Sequence, residues 1–285
     1  MSIKIENTEV LGWEAAIRGL RNPMNSWAKS DTWFWDYSDI EENDHCHSFN
    51  IPSATMVDSE QEGCLDIHWI EVQSCPEWTR EFEHVEVIKD HPYDWKYGCK
   101  AFIGPNDHKL MMNLAKAGTT DAKYRRMINV TADVTAPLYW WKEYDTYKVG
   151  TVANSCSTMH KIHAKEFTRD DFSCEHLFAA DDITGMWYSQ IAEEELSAID
   201  ILDIVIEFLN YYRKDYLRTK DKRYWLQMIQ LLPSSYNQRR TIQLNYEVLA
   251  AIYPKRKDHK LDCWHVFCDW IESLPYSELI TGKES

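Results

Sequence analysis

One cysteine and two histidines, close together in the chain, are candidates for covalent or metal chemistry. Cys156 precedes His160 by four residues, and His163 follows three residues later. On one helix face an imidazolium at His160 would lower the pKa of the Cys156 thiol and activate it as a nucleophile. A small buried cysteine is the alternative interpretation, and both stay open. His160 and His163 could also share a helix face, but no carboxylate partner is evident, so we expect no metal there.

Histidines and cysteines also gather further upstream. His45, Cys46 and His47 are consecutive, and Cys64 is followed by His68. None of these spacings is the paired C-x₂-C or H-x₃-H pattern of structural zinc, so we expect no metal site in this region either. The sequence contains neither the G-x-G of phosphate-binding loops nor a G-x-S-x-G nucleophile elbow, which disfavours those two enzyme classes.

Two segments, 136–161 and 231–264, combine aromatic, amide, hydroxyl and basic residues within an acidic chain. Such a mixture favours a pocket that recognises phosphate and amide groups, although a solvated basic face is the alternative. Much of the basic character of these segments comes from Lys148, Lys161, Arg239, Arg240, Lys255, Arg256 and Lys257.

The overall charge limits the partners of the chain. Among 285 residues, 31 are basic and 46 are acidic, which gives a net charge of −15. Such a chain repels a phosphate backbone, so we expect no nucleic-acid partner. No stretch has the apolar length of a membrane span, and the N-terminus lacks the pattern of a signal peptide. We therefore expect no membrane partner, a cytoplasmic location and reduced cysteines.

The elements that must position these residues follow from hydrophobic periodicity. Strands are predicted at 3–10 and 128–134, and helices at 13–20, at 104–118 with Asp107 as N-cap, and after Pro137. The C-terminal half is mostly helical, with a long amphipathic helix near 193–220 and shorter ones near 224–231, 241–252 and 261–274. The pattern predicts one α+β domain over 1–285, with an antiparallel or mixed sheet flanked by helices. Residues 28–100 differ in composition and are predicted to be a β-rich insertion.

The two mixed segments resemble the flavin-dependent thymidylate synthase family. The resemblance covers about 104–270, and its matching pieces are Ala136-Pro137, residues 153–157, Leu232-Pro233, Asn245 within a helix, and Arg256 with His259. Where the family carries an Arg-His-Arg signature, this chain has Thr146, Tyr147 and Lys148.

The resemblance implies an enzyme that converts dUMP to dTMP with FAD, using methylenetetrahydrofolate as carbon donor and NADPH as reductant. It implies a homo-oligomer, a tetramer in the family. Arg256, Tyr147 and Lys148 would be the catalytic residues. Tyr147, Lys148 and Asn245 would hold the cofactor. The nucleotide-binding residues would be Glu143, Asn154, Ser155, Cys156, Ser157 and Arg256.

Two alternatives to this activity remain at the level of the sequence. The protein could be a catalytically silent nucleotide- or flavin-binding protein on the same fold, or a relative that modifies a different pyrimidine nucleotide. The insertion would then shape ligand selectivity while being dispensable for folding.

Overall fold

The computed structural model describes residues 3–34, 101–179 and 185–283. The predicted insertion at 28–100 therefore lies mostly outside the described residues, as do the histidines and cysteines between 45 and 75. The strands are β1 (Lys4–Leu11), β2 (Trp33–Phe34), β3 (Ala101–Phe102), β4 (Asn129–Pro137), β5 (Val152–Ser155), β6 (Trp187–Ser189), β7 (Glu194–Leu196) and β8 (Asn237–Asn245).

Helices make up most of the remaining described chain. The α-helices are α1 (Trp13–Arg21), α2 (Pro105–Ala117), α3 (Leu138–Tyr144), α4 (Thr158–Lys161), α5 (Ala198–Thr219), α6 (Lys222–Leu231), α7 (Tyr246–Arg256), α8 (Asp262–Glu272) and α9 (Glu278–Thr281). Short 3₁₀ helices span Asn22–Met24, Trp27–Lys29, Lys123–Arg126 and Arg169–Asp171. No helix in the described ranges has the length and hydropathy needed to cross a membrane.

Four strands form an antiparallel sheet in the order β1-β4-β8-β5, flanked by helices. In β4 every second side chain is buried, beginning at Val130, because successive residues of a strand face opposite sides of the sheet. The same alternation in the sequence predicted this strand. The α+β arrangement of a sheet flanked by helices is thereby confirmed.

The segment after the long helical hairpin differs from its prediction. Residues 241–245 were expected in a helix, but they end β8, where Ile242 and Leu244 are buried. Asn245 is the N-cap of α7 instead of a residue within a helix, and its Oδ1 accepts a hydrogen bond from the backbone N–H of Val248 at 3.1 Å. The β-branched Thr241 and Ile242 are compatible with a strand, and pairing of this run with both neighbouring strands of the sheet decided the structure here.

Helix α2 also begins differently from its prediction. Its N-cap is Gly104, and Pro105 occupies the first turn, as is common at helix N-termini. The carboxylate of Asp31 accepts hydrogen bonds from the backbone N–H groups of Asn106 and Asp107, at 2.8 and 3.0 Å. Asp107, predicted as the N-cap, is fully buried instead, because a distant residue already satisfies the free N–H groups of this helix.

The described chain is divided into two compact units. The first unit comprises the described residues of Met1–Glu6, Asp133–Ile242 and Leu261–Phe267, and the second comprises those of Asn7–Ala132, Gln243–Lys260 and Cys268–Ser285. In the first unit, α5 and α6 pack around Leu202, Leu209 and Met228. A second group of buried aromatic side chains in this unit consists of Trp140, Trp141, Tyr144, Trp264 and Phe267.

The second unit has its own aromatic core. The ring of Trp13 packs edge-on against Tyr246 and Tyr276, with centroids 5.4 and 5.3 Å apart. The backbone at Gly12, just before α1, has φ 96°, and a Cβ there would overlap the carbonyl oxygen of Met127. Glycine is therefore required at this turn for both its conformation and its size.

Candidate functional site

The segment predicted to form a nucleotide-binding loop is a strand followed by a short capped helix. Asn154 and Ser155 belong to β5 and are exposed. Exposed Cys156 continues the pairing with β8, since its backbone N–H donates to the carbonyl oxygen of Arg239 at 2.9 Å. Ser157 is the N-cap of α4 and accepts a hydrogen bond from the backbone N–H of His160 at 3.0 Å. These four residues therefore lie together along one strand end and helix start.

The hypothesis of a Cys156–His160 pair on a helix face is wrong. Helix α4 spans only Thr158–Lys161, so Cys156 lies before its N-cap and outside the helical periodicity. His163 lies beyond its end, so His160 and His163 do not share that helix either. No group of three or more potential metal ligands is found in the described part of the chain.

Glu143 and Tyr147 meet around a buried tryptophan. The indole Nε1 of Trp264 donates a hydrogen bond to Oε2 of Glu143 at 3.0 Å. The ring of half-buried Tyr147 lies edge-on to Trp264, with centroids 6.2 Å apart. Lys148, the next residue, is exposed. Trp264 was not identified from the sequence as a site residue. It contacts both Glu143 and Tyr147, although it lies more than a hundred residues further along the chain.

The two arginines of β8 are engaged by carboxylates. Arg239 pairs with Asp133 at 2.7 Å, and Arg240 pairs with Asp145 at 2.8 Å. The guanidinium of Arg240 also lies over the ring of Trp141, 4.2 Å from its centroid. Because these charges are already compensated, the predicted basic cluster around residues 239–240 is bound within the protein and offers little charge to an outside phosphate.

Asn245 and Arg256 belong to the second unit and lie at opposite ends of α7. Asn245 caps the helix, and half-buried Arg256 is its last residue. Eleven residues of helix separate their backbones by about 16 Å. The helix continues through Pro254 and ends two residues after it. A single small chemical group could therefore not contact both Asn245 and Arg256.

A cavity of about 390 Å³ opens in the first unit beside the end of α4. Its lining combines basic and aromatic side chains and includes no carboxylate. We call it the basic pocket, and its residues are Met159, His160, His163, Tyr216, Lys220, Lys222 and Trp225. Its volume lies within the usual range for small-ligand sites.

Three elements fix the shape of the basic pocket. The indole Nε1 of Trp225, on α6, donates to the carbonyl oxygen of Met159 on α4 at 2.9 Å. The ring of Tyr216, on α5, packs edge-on against His163 with centroids 4.9 Å apart. Lys220 is the C-cap of α5 at φ 59°, and its Nζ lies 5.7 Å from the centroid of Tyr216. Aromatic surface and positive charge therefore line the same cavity.

His163 is held in an electrostatically unfavourable position for a cation. Its Nδ1 is buried and has no hydrogen-bond partner among the described residues. Burial first, and then the charges of Lys220, Lys161 and Arg213, lower the pKa of His163 below its ordinary value. Arg213 is held close, since its Nε donates to the carbonyl oxygen of His163 at 3.0 Å. The pocket thus carries excess positive potential and suits an anion that has a planar ring.

Most residues of the basic pocket were not identified from the sequence. His160 was considered only as a partner of Cys156 or as a metal ligand, and His163 only as a metal ligand. Tyr216, Lys220, Lys222 and Trp225 were not considered at all. The available signal was the basic run RTKDKR, at 218–223, in a chain of net charge −15. Its pairing with residues 159–163 depends on how the α5–α6 hairpin folds back, which no local pattern shows.

Comparison with known proteins finds similarity in structure only. No family model matches the sequence, and no curated protein matches it. Among solved structures, flavin-dependent thymidylate synthase ThyX from Helicobacter pylori, complexed with FAD and dUMP, matches with a TM-score of 0.53 at 9% identity, covering 99% of each chain. A second structure of that protein with FAD and dUMP matches with a TM-score of 0.52 at 9% identity, covering 99% of this chain and 98% of that one. The chain therefore shares the fold of this synthase.

Proposed function

We propose that the protein is a flavin-dependent methylase of a pyrimidine nucleotide, which converts dUMP to dTMP with methylenetetrahydrofolate as carbon donor and NADPH as reductant. The observation that carries the proposal is the basic pocket, which offers two lysines, two histidines and two aromatic rings in a strongly acidic chain. The shared fold adds support, because the similar solved structures hold FAD and dUMP.

Residues of the first unit fit a flavin. The half-buried ring of Tyr147 against Trp264 offers an aromatic surface, and the exposed ammonium of Lys148 beside it offers a charge for a phosphate. The bound flavin would supply the hydride. The residues of this chain would bind and orient the ligands around it.

On the nucleotide side, each residue would position the substrate. Asn154, Ser155, Cys156 and Ser157 would provide polar groups along the nucleotide, and Glu143, held by Trp264, would accept a hydrogen bond from the base. As an alternative to the basic pocket, the resemblance implies that Arg256 binds the phosphate through its guanidinium. With no nucleophile needed from the protein, Cys156 would serve by contact alone.

A second candidate is a silent nucleotide- or flavin-binding protein on the same fold. The observation that favours it is the replacement of the Arg-His-Arg signature by Thr146, Tyr147 and Lys148, together with the carboxylate pairing of Arg239 and Arg240. A relative that modifies another pyrimidine nucleotide is a third candidate, and the basic pocket suits it equally well.

One experiment separates these candidates. The protein is incubated with FAD and desalted, and its absorbance spectrum is recorded; dUMP, UMP or dCMP is then added with methylenetetrahydrofolate and NADPH, and the products are separated by chromatography. We expect bound flavin and dTMP. Flavin and dUMP binding without product supports the silent protein, whereas a methylated product from UMP or dCMP alone supports the third candidate.

Paired variants identify the flavin site in the same experiment. Tyr147→Leu is expected to reduce flavin retention because it removes the proposed aromatic surface. Tyr188→Leu removes an exposed tyrosine from the β6–β7 hairpin and serves as its control. A colourless wild-type protein would contradict the flavin-dependent activity.

A further inference from the structure

We propose that the basic pocket binds the phosphate or sulfate ester of a planar ring and that His163 takes up a proton when this anion binds. The natural ligand would be a nucleoside monophosphate, and only this identification rests on the proposed function. The coupling itself follows from the side chains that surround His163 and from the absence of any carboxylate from the pocket lining.

Positive groups face His163 from each of the three helices. Lys161 is the positive group of α4, and His160 lies on the same helix. Arg213 and Lys220 come from α5 and its C-cap, and Lys222 is the first residue of α6. The nearest acidic residues along the α5–α6 connection are engaged elsewhere, since Asp215 pairs with Arg218 and Asp221 pairs with Arg223. These two carboxylates therefore pair with other residues, and an anionic ligand would find the positive charge around His163 available.

His163 is suited to respond to that ligand. Its Nδ1 is inaccessible to solvent and has no partner in the described part of the chain, so the protein does not compensate a positive charge on that atom. An anion in the cavity would stabilise the imidazolium through its negative charge. The proton comes from solvent, and a lone pair of the imidazole ring forms the new N–H bond. Tyr216 and Trp225 supply the surfaces for a planar ring.

The direction of the pH dependence follows from these groups. In the empty pocket the pKa of His163 is lowered by burial and by Lys220, Lys161 and Arg213. A bound anion raises it, so the complex holds more protons than the free protein at pH values between the two pKa values. Affinity must therefore fall as pH rises through the pKa of the complex and level off above it. We expect the total change to be about tenfold, as for a charge-assisted hydrogen bond.

Calorimetric titration with phenyl sulfate tests the coupling without interference from the ligand, because its sulfate group stays ionised. Near pH 6.5, the ordinary pKa of histidine, titrations in two buffers of different ionisation enthalpy give the number of protons taken up. We expect an uptake of up to about half a proton in wild type, the largest that a tenfold change in affinity allows, and none in His163→Gln. His160→Gln should retain the uptake. Lys222→Gln should weaken binding several-fold, whereas Lys214→Gln, on α5 but outside the pocket lining, should not.

An NMR measurement keeps the test valid if His163→Gln fails to fold. In wild type, the pKa of His163 should rise when phenyl sulfate saturates the pocket. Binding without proton uptake, or uptake that persists in a folded His163→Gln variant, overturns the proposal. Failure of phenyl sulfate to bind overturns it even if dUMP is methylated. Proton-linked binding of phenyl sulfate without any methylation of a nucleotide supports the proposal for the basic pocket and contradicts only the proposed function.

Discussion

Asp107 is a buried hydrogen-bond acceptor, a role that its position in the sequence does not indicate. Its carboxylate accepts hydrogen bonds from Nε of Arg21 at 2.7 Å, from the hydroxyls of Ser30 and Thr32 at 2.6 and 2.7 Å, and from the backbone N–H groups of Asp31 and Thr32. The side chains of Arg21 and Asp107 are 7% and 0% exposed. One buried carboxylate thus joins α1, the chain before β2 and the first turn of α2.

Replacing Asp107 by alanine should destabilise the protein strongly. Asp107→Ala leaves the buried guanidinium of Arg21 without its partner, which typically costs about 3–5 kcal/mol. Urea unfolding followed by circular dichroism measures the change in the free energy of unfolding. Asp121→Ala, at an exposed aspartate after the same helix, is the control and should stay within about 0.5 kcal/mol of wild type. Equal effects of the two variants would contradict the role assigned to Asp107.

Arg256 is the residue that the resemblance assigns to the phosphate of dUMP. If its guanidinium binds the phosphate of dUMP, Arg256→Ala should weaken dUMP binding by about 1.5–3 kcal/mol, the usual contribution of a hydrogen bond to a charged group. Calorimetric titration measures this loss, and circular dichroism confirms the fold. The adjacent, exposed Lys257 is the matched position, and Lys257→Ala should bind like wild type. If all three proteins bind dUMP equally, Arg256 takes no part in nucleotide binding.

At the scale of the element, α5 begins with a capping box. The hydroxyl of Ser197 accepts from the backbone N–H of Asp200 at 3.3 Å, and Asp200 Oδ2 accepts from the backbone N–H of Ser197 at 2.7 Å. The hydroxyl and backbone N–H of Ser197 lower the pKa of Asp200 below its ordinary 3.8. The ionised carboxylate therefore stabilises the folded protein at neutral pH.

Ser197→Ala should lower the free energy of unfolding by about 1 kcal/mol at pH 7. Because the folded-state pKa of Asp200 is the lower one, its stabilising effect is present above about pH 4 and is lost as pH falls through the lowered pKa. The difference between wild type and variant should narrow over that range in urea unfolding experiments. Ser26→Ala is the control, because Ser26 precedes a 3₁₀ helix without a side-chain cap hydrogen bond. A difference independent of pH would exclude the contribution of Asp200.

In the whole protein, the predicted insertion at 28–100 is expected to be dispensable for folding. Strands β2 and β3 pair antiparallel, with Phe34 opposite Ala101, so the described ends of the predicted insertion meet. Replacing residues 36–99 by a short Gly/Ser linker should therefore leave a cooperatively melting protein. Replacing 30–98 should be less well tolerated, because Ser30, Asp31 and Thr32 bind Asp107. Thermal melts compare the two variants, and aggregation of the first would show that the segment belongs to the core.

One face of α5 is suited to self-association. Large apolar side chains on one stripe of α5 are exposed, with Ile201 at 43%, Ile204 at 39%, Phe208 at 50% and Tyr211 at 58%. We propose that a second copy of the chain covers this stripe in a homo-oligomer, a tetramer by resemblance.

Phe208→Asp should therefore reduce the mass measured by sedimentation equilibrium, because it places a charge in the apolar contact. Lys214→Glu, off the stripe on the same helix, is the control and should leave the assembly unchanged. A wild-type protein that sediments as a monomer would contradict the proposed assembly.

The sequence by itself determined the elements whose signals are local. The alternation from Ile128 to Val134 specified β4, and the apolar stripe of the long amphipathic helix specified α5. Periodicity and capping involve residues only a few positions apart, so they can be recognised in any short window. The α+β arrangement with a helical C-terminal half followed from these elements and from the resemblance.

Only the tertiary structure decided the elements and sites that depend on distant partners. The run 241–245 became a strand because β4 and β5 pair with it, and Asp107 became a buried hydrogen-bond centre because Asp31 caps its helix. In the basic pocket, Trp225 bonds to Met159 across 66 residues. Such contacts require the chain to close long loops, and the free energy for that closure comes from burying apolar surface over the whole unit. A local sequence pattern does not show which distant side chain will contact a given residue.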